Sequence, residues 1–124
     1  MAKILLVEDS PELRSALSLR LSDLDHKVIQ AANGQEGLDL FCKHRDELDL
    51  VLTDFQMPEM TGPAMIGQLK NLEITQPIIL MSMDFSQNDA DARAVAFGAN
   101  SGFDKSSGLN ILIQKIEELT LPGN

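Results

Sequence analysis

The chain contains no tryptophan and no tyrosine, and only five phenylalanines. With so few aromatic faces, stacking on nucleic-acid bases is disfavoured. A single cysteine, Cys42, excludes an internal disulfide. Its setting after Phe41 in a helical pattern predicts a small hydrophobe packed in the core. Basic residues are scarce: 10 Lys and Arg against 19 Asp and Glu give a formal net charge of −9. Such a surface repels free DNA and anionic membranes, and its complement is a divalent cation or a cationic patch on a protein partner. Long apolar runs are missing too. Ile4-Leu5-Leu6-Val7 is too short for a signal peptide, and nothing approaches the roughly 20 residues of a spanning helix. The expectation is a soluble cytoplasmic protein with no membrane insertion and no direct nucleic-acid partner.

What is present is enough for one domain, residues 1–124, with a core that needs no staples. Strand and helix patterns alternate. Lys3–Val7 reads as a strand. Ser10-Pro11 starts a helix as cap and first helical residue, with Leu13, Leu17, Leu21 and Leu24 at helical spacing. Lys27–Ala31 is a second strand; Asn33-Gly34 predicts a turn before a helix carrying Leu38, Phe41 and Cys42. Asp49–Thr53 is a third strand, and a loop from Met57 to Gly62 leads to a helix over Pro63–Leu72. Pro77–Met81 is a fourth, followed by an Ala-rich helix over Asn88–Phe97 that stops at Gly98. A short fifth strand includes Gly102-Phe103, and the last helix spans Leu109–Leu119. In that helix Leu112, Ile116 and Leu119 face the core, which Ile111 and Ile113 widen. His26 and His44 lack ligand spacing and read as surface residues.

The strands are continuous apolar runs, as expected when both faces are covered. Right-handed crossovers then give an α/β fold: a doubly wound, flavodoxin-like, five-stranded parallel sheet in the order 2-1-3-4-5, with helices on both faces. In that order the first and third strands are neighbours. Glu8 and Asp9 after one meet Asp54 at the end of the other, at the carboxyl edge where such sheets bind ligands. Each residue alone has a plain structural role: a cap, a solvated turn, a strand end, a surface lysine. Their coincidence on one edge is the signal. Three crowded carboxylates repel unless a cation joins them. Mg²⁺ (or Mn²⁺), a hard ion needing few protein ligands, suits the set. Asp9, Asp54 and the Gln56 carbonyl would be direct ligands, with Glu8 acting through water. Lys105 adds an ammonium and Ser82 a hydroxyl, completing what an anionic phosphoryl group requires. Asp54 would be its acceptor, forming an acyl phosphate.

Val7-Glu8-Asp9-Ser10, the run Asp54-Phe55-Gln56-Met57-Pro58-Glu59-Met60-Thr61-Gly62, Ile78–Ser82, Gly98-Ala99 and Phe103-Asp104-Lys105 together resemble the receiver domain of two-component response regulators. The resemblance covers the chain in order. It implies Asp54 as phosphoacceptor, Glu8 and Asp9 as the acidic metal pair, Ser82 as the switch hydroxyl and Lys105 as the phosphoryl-contacting lysine. It implies a histidine kinase or histidine phosphotransfer protein as donor, and a downstream protein target. It also places Gln56, Met83 and Asp84 where phosphate lifetime is tuned. Three positions depart from the family's pattern. Ser106 stands where Pro usually follows the lysine, often with a cis bond. Gly102 stands where an aromatic switch residue is usual, with Phe103 one step later. Met83 stands where a small residue is favoured. Either the register near Phe103 differs or the aromatic switch is missing.

The leading expectation is a stand-alone phosphorelay response regulator that is not a turnover enzyme, with no output domain after the last helix. Its alternatives are a degenerate receiver used as a scaffold and an Asp-nucleophile phosphatase. The phosphatase is disfavoured because Gln56, not an acid, stands two residues after Asp54. A flavin carrier is disfavoured because no Gly/Ser/Thr-rich phosphate loop follows the first strand.

Overall fold

Each of the five expected strand segments forms a strand, and a helix follows each: β1 (Lys3–Val7), α1 (Pro11–Asp23), β2 (Lys27–Ala31), α2 (Gly34–His44), β3 (Leu50–Asp54), α3 (Gly62–Asn71), β4 (Ile78–Ser82), α4 (Ala90–Ala96), β5 (Ser101–Asp104) and α5 (Leu109–Thr120). The computed structural model describes residues 1–121. All strand pairs are parallel, in the order β2-β1-β3-β4-β5.

Successive side chains of a strand point to opposite faces, and here they supply two cores. Leu5 and Val7 of β1 join Phe41 of α2 and Met65, Ile66 and Leu69 of α3. Ile4 and Leu6 join Leu17 and Leu21 of α1 and Leu112 and Ile116 of α5. Each fully buried side chain of this size contributes roughly 1.5–3 kcal/mol. A one-residue slip of β1 would exchange its two buried sets, so its register is strongly held.

Side-chain caps fix where helices begin. Ser10 Oγ accepts from the Leu13 N–H at 3.3 Å, Asn33 Oδ1 from Glu36 at 2.9 Å, and Thr61 Oγ1 from Ala64 at 3.2 Å. Such a cap contributes about 1 kcal/mol. Asn33 is thus the cap of α2, with Gly34 already helical, rather than half of a separate turn.

Other expectations shift. β3 and β4 each lie one residue further along than the apolar pattern implied, so Asp54 and Ser82 are last strand residues. The ladder continues past them: Phe55 N–H donates to the Met81 carbonyl at 2.7 Å and Lys105 N–H to the Ser82 carbonyl at 3.0 Å. α4 is shorter than expected because Asp89 Oδ1 accepts from the Ser86 N–H at 2.8 Å, holding the preceding residues in a turn. Cys42 is exposed, not packed: α2 buries Leu38 and Phe41, and the next residue points away. His26 is buried, not on the surface, and its Nδ1 accepts from the Ala2 N–H at 3.0 Å. His44 is half-buried beside Glu47, 3.0 Å away. Of the α1 leucines, Leu17 and Leu21 are buried, whereas Leu24 caps the helix and is exposed.

Candidate functional site at the carboxyl edge

Strand register brings the site together. Val7 pairs with Thr53, Asp54 with Met81 and Ser82 with Asp104. Glu8, Asp54, Ser82 and Lys105 therefore emerge side by side at one edge. Oxygen atoms of Glu8, Asp9 and Asp54 lie within 4.8 Å of one another. Glu8 is fully buried and Asp54 nearly so.

Lys105 joins this set from β5. Its Nζ donates to Glu8 Oε1 at 2.9 Å and to Asp54 Oδ1 at 3.1 Å. The ammonium thus spans two buried carboxylates. Burial opposes its charge, but the hydrogen bond to Glu8 and the charge of Asp54 outweigh that and hold its pKa above the ordinary lysine value. The Asp54 pKa is also raised, to about 6, chiefly by burial and next by the charge of Glu8, which disfavours its charged form; Lys105 offsets only part of this. The second Glu8 oxygen accepts from the Ser10 N–H at 3.1 Å, and Arg14 Nη1 donates to the Glu8 carbonyl at 2.7 Å.

Asp54, Gln56, Ser82, Met83, Asp84 and Lys105 line a cavity of about 240 Å³. Ser82 is buried, and its Oγ accepts from the Asp84 N–H at 3.0 Å. Gln56 Nε2 donates to Asp84 Oδ2 at 3.4 Å, so the two expected lifetime-tuning residues meet at the mouth. Met83 also lines the cavity, yet most of its surface faces solvent.

Two departures from the family pattern gain a physical description. The backbone after Lys105 is held by Asp104, whose Oδ1 accepts from the Ser106 N–H at 2.9 Å and hydroxyl at 2.6 Å. This side-chain turn does the restraining; among the described residues no peptide bond is cis. At Gly102 a Cβ would lie 2.1 Å from the Ala90 carbonyl oxygen and 2.9 Å from Ala94 Cβ. Position 102 has no room for an aromatic side chain. Phe103 is buried on the opposite face with Met81 and Leu112. The register is regular, so the aromatic at the usual position is missing.

Sequence reading did not single out Arg14, Phe85, Asp91 or Arg93. Arg14 lies one helical turn after the Ser10 cap, which was a usable signal. The others depend on how α4 meets β5, and nothing local in the sequence encodes that.

Fold and crevice together define a flavodoxin-like domain with an acidic, lysine-bridged site at the switch point of its sheet. The chain belongs to the response regulator receiver family: residues 4–117 match the response regulator receiver domain. The work of this class is phosphorelay signalling. Over 117 residues the chain is 33% identical to the transcriptional regulatory protein GlrR of Escherichia coli, covering 94% of this chain and 26% of that protein. It thus spans about a quarter of that relative's length. It is similar in structure to the chemotaxis protein CheY4 of Vibrio cholerae, with TM-score 0.82, 29% identity, and coverage of 96% of this chain and 98% of that one. It is also similar to TrrA of Thermotoga maritima, solved in complex with Mg²⁺ and BeF, with TM-score 0.81, 29% identity, and coverage of 96% and 99%. No helix among the described residues is long and apolar enough to cross a membrane.

Proposed function

We propose that Asp54 accepts a phosphoryl group from a phosphohistidine on a partner kinase or phosphotransfer protein, and that the chain signals through altered protein contacts. The observation that carries this reading is Lys105 spanning Glu8 and Asp54 beside a third carboxylate, Asp9. An Asp54 oxygen bonds to phosphorus as the phosphorus–nitrogen bond of the donor breaks. The imidazole departs with that electron pair and takes a proton from solvent. Lys105 follows the charge onto the transferred group, and the Ser82 hydroxyl donates to one of its oxygens. Little covalent chemistry is asked of the protein beyond positioning and neutralisation.

The donor set fits a hard divalent cation, Mg²⁺ or Mn²⁺. Asp9, Asp54 and the Gln56 carbonyl would hold it, with Glu8 behind a water. When bound, it supplies the positive charge that the crowded carboxylates and an incoming phosphoryl group both require. TrrA, solved with Mg²⁺ and BeF, supports this reading by similarity. Gln56 and Asp84, bonded to each other at the mouth, would set how readily water reaches the acyl phosphate. The protein assists its own phosphorylation and dephosphorylation and turns over no other substrate.

Incubation with acetyl phosphate and Mg²⁺ followed by intact-mass measurement tests the assignment. The wild type should gain one phosphoryl group that is labile in base, and Asp54→Asn should gain none. Absence of that adduct on the wild type would falsify the phosphoacceptor role and leave the scaffold reading standing.

A further inference from the structure

The route from the crevice to α4 can be followed bond by bond. Asp84 is tied at both ends of its backbone. Its N–H donates to Ser82 Oγ at 3.0 Å, and its carbonyl accepts from Arg93 Nη1 of α4 at 2.7 Å. The Arg93 guanidinium also lies over the Phe85 ring, 5.0 Å from its centroid. Phe85 is buried and meets Phe55 edge-on at 6.1 Å, and Phe55 meets Phe97 edge-on at 5.1 Å. Phe55 follows Asp54 directly, and Phe97 closes α4.

The opposite side of α4 is fastened. Ala90 and Ala94 press on Gly102 of β5. Asp91 Oδ1 accepts from Ser101 Oγ at 2.8 Å, from the Gly102 N–H at 2.9 Å and from Lys115 Nζ of α5 at 2.7 Å. Burial works against the Asp91 charge, but the Lys115, Gly102 and Ser101 contacts overcome it and hold its pKa below the ordinary carboxylate value. One flank of α4 is therefore clamped to the sheet edge. The other meets the site through Arg93 and the Phe85–Phe55–Phe97 cluster.

We infer that Arg93 couples the Ser82 hydroxyl to α4, with Phe85 as its platform, and that this contact carries the signal that a β5 aromatic cannot carry here. A phosphoryl group in the cavity draws the Ser82 O–H toward itself. Oγ then turns from the Asp84 N–H, the Asp84 peptide shifts, and its carbonyl moves relative to Arg93. The guanidinium has one fork to divide between that carbonyl and the Phe85 face. Arg93 here is a positioning residue and touches no reacting atom.

The inference rests on the phosphoacceptor reading, so one test arm avoids phosphorylation. In the unmodified chain, amide exchange of Ala90–Phe97 is compared for wild type, Ser82→Ala, Arg93→Ala and the double variant. Ser82→Ala should speed α4 exchange several-fold in the wild type and leave it within about twofold when Arg93 is already absent. Equal effects of Ser82→Ala in both backgrounds would overturn the coupling. In the second arm, beryllofluoride with Mg²⁺ is added. Arg93→Ala should bind it within about threefold of wild-type affinity yet lose most of the α4 response, and Arg93→Lys should restore only part. A full α4 response in Arg93→Ala would also overturn it. Failure of the wild type to bind beryllofluoride would instead strike the phosphoacceptor reading, with the first arm still deciding the coupling.

Discussion

At Asp54 two demands conflict. As the proposed phosphoacceptor the residue must be an acid, yet it is buried beside Glu8. Its raised pKa records the conflict. A carboxylate whose folded pKa stands near 6 against an ordinary 3.8 destabilises the metal-free fold at neutral pH. The cost is on the order of 1–3 kcal/mol. Asp54→Asn removes it, so the metal-free variant should unfold at higher denaturant by about that amount, read from urea melts at pH 7.5. An unchanged or lower midpoint would mean that Lys105 already compensates the charge.

Among the elements, α4 departs furthest from what the pattern of residues announced. Strands and most helix starts were legible because their signals are local: apolar runs for a parallel sheet, Ser10 as a cap, Pro11 and Pro63 at helix entry. Asp54, Glu8, Asp9, Ser82 and Lys105 were legible because strand ends in a parallel sheet must converge. Cys42, His26 and Arg93 were not, because each depends on which way a side chain points across a distant contact. Gly102 carried a signal without its meaning: the glycine was visible, but not the α4 backbone pressed against it. Gly102→Ala should therefore cost about 2 kcal/mol or more, since the obstacle is a carbonyl oxygen of the main chain rather than a side chain that can swing aside. Gly62 sits under a similar constraint at the opposite loop, where a Cβ would lie 2.2 Å from the Asp54 carbonyl oxygen. Gly62→Ala should slow phosphorylation by acetyl phosphate as well as lower stability, because the displaced carbonyl belongs to Asp54, the proposed acceptor. A stability loss with unaltered phosphorylation rate would confine Gly62 to packing.

Over the whole molecule, two buried groups set opposing pH responses at opposite ends of the sheet. His26 near the amino end of β1 has its pKa lowered, mainly by burial and next by the amino terminus, against weaker pulls from Glu117 and Asp25. A lowered folded value means that stability is present above the unfolded pKa of about 6.5 and is lost as pH falls below it. Asp54 has a raised value, so its contribution improves as pH falls from about 6 toward 3.8. In the wild type the two partly cancel. Asp54→Asn should expose the histidine's response as a steeper stability loss below pH 6.5, and adding His26→Gln should flatten it. A divalent cation at the proposed site would act on the same balance. At ten times its dissociation constant, Mg²⁺ should stabilise the wild type at pH 7.5 by about 1.4 kcal/mol. The gain should shrink below pH 6, where Asp54 takes up a proton, and vanish in Asp9→Asn/Asp54→Asn.

The lysine bridge has a kinetic meaning as well. Lys105 is a counter-ion on a tether, delivered by the fold to the place a free cation would take. Entry of the proposed cation would then be an exchange rather than an addition: the ammonium would yield its two carboxylates as the ion arrives and reclaim them as it leaves. Such a built-in competitor would weaken the grip on the cation and quicken its departure, because the vacated carboxylates would never be bare. Loading would follow the cation concentration around the protein promptly in both directions, leaving the crevice ready for each new encounter with a donor.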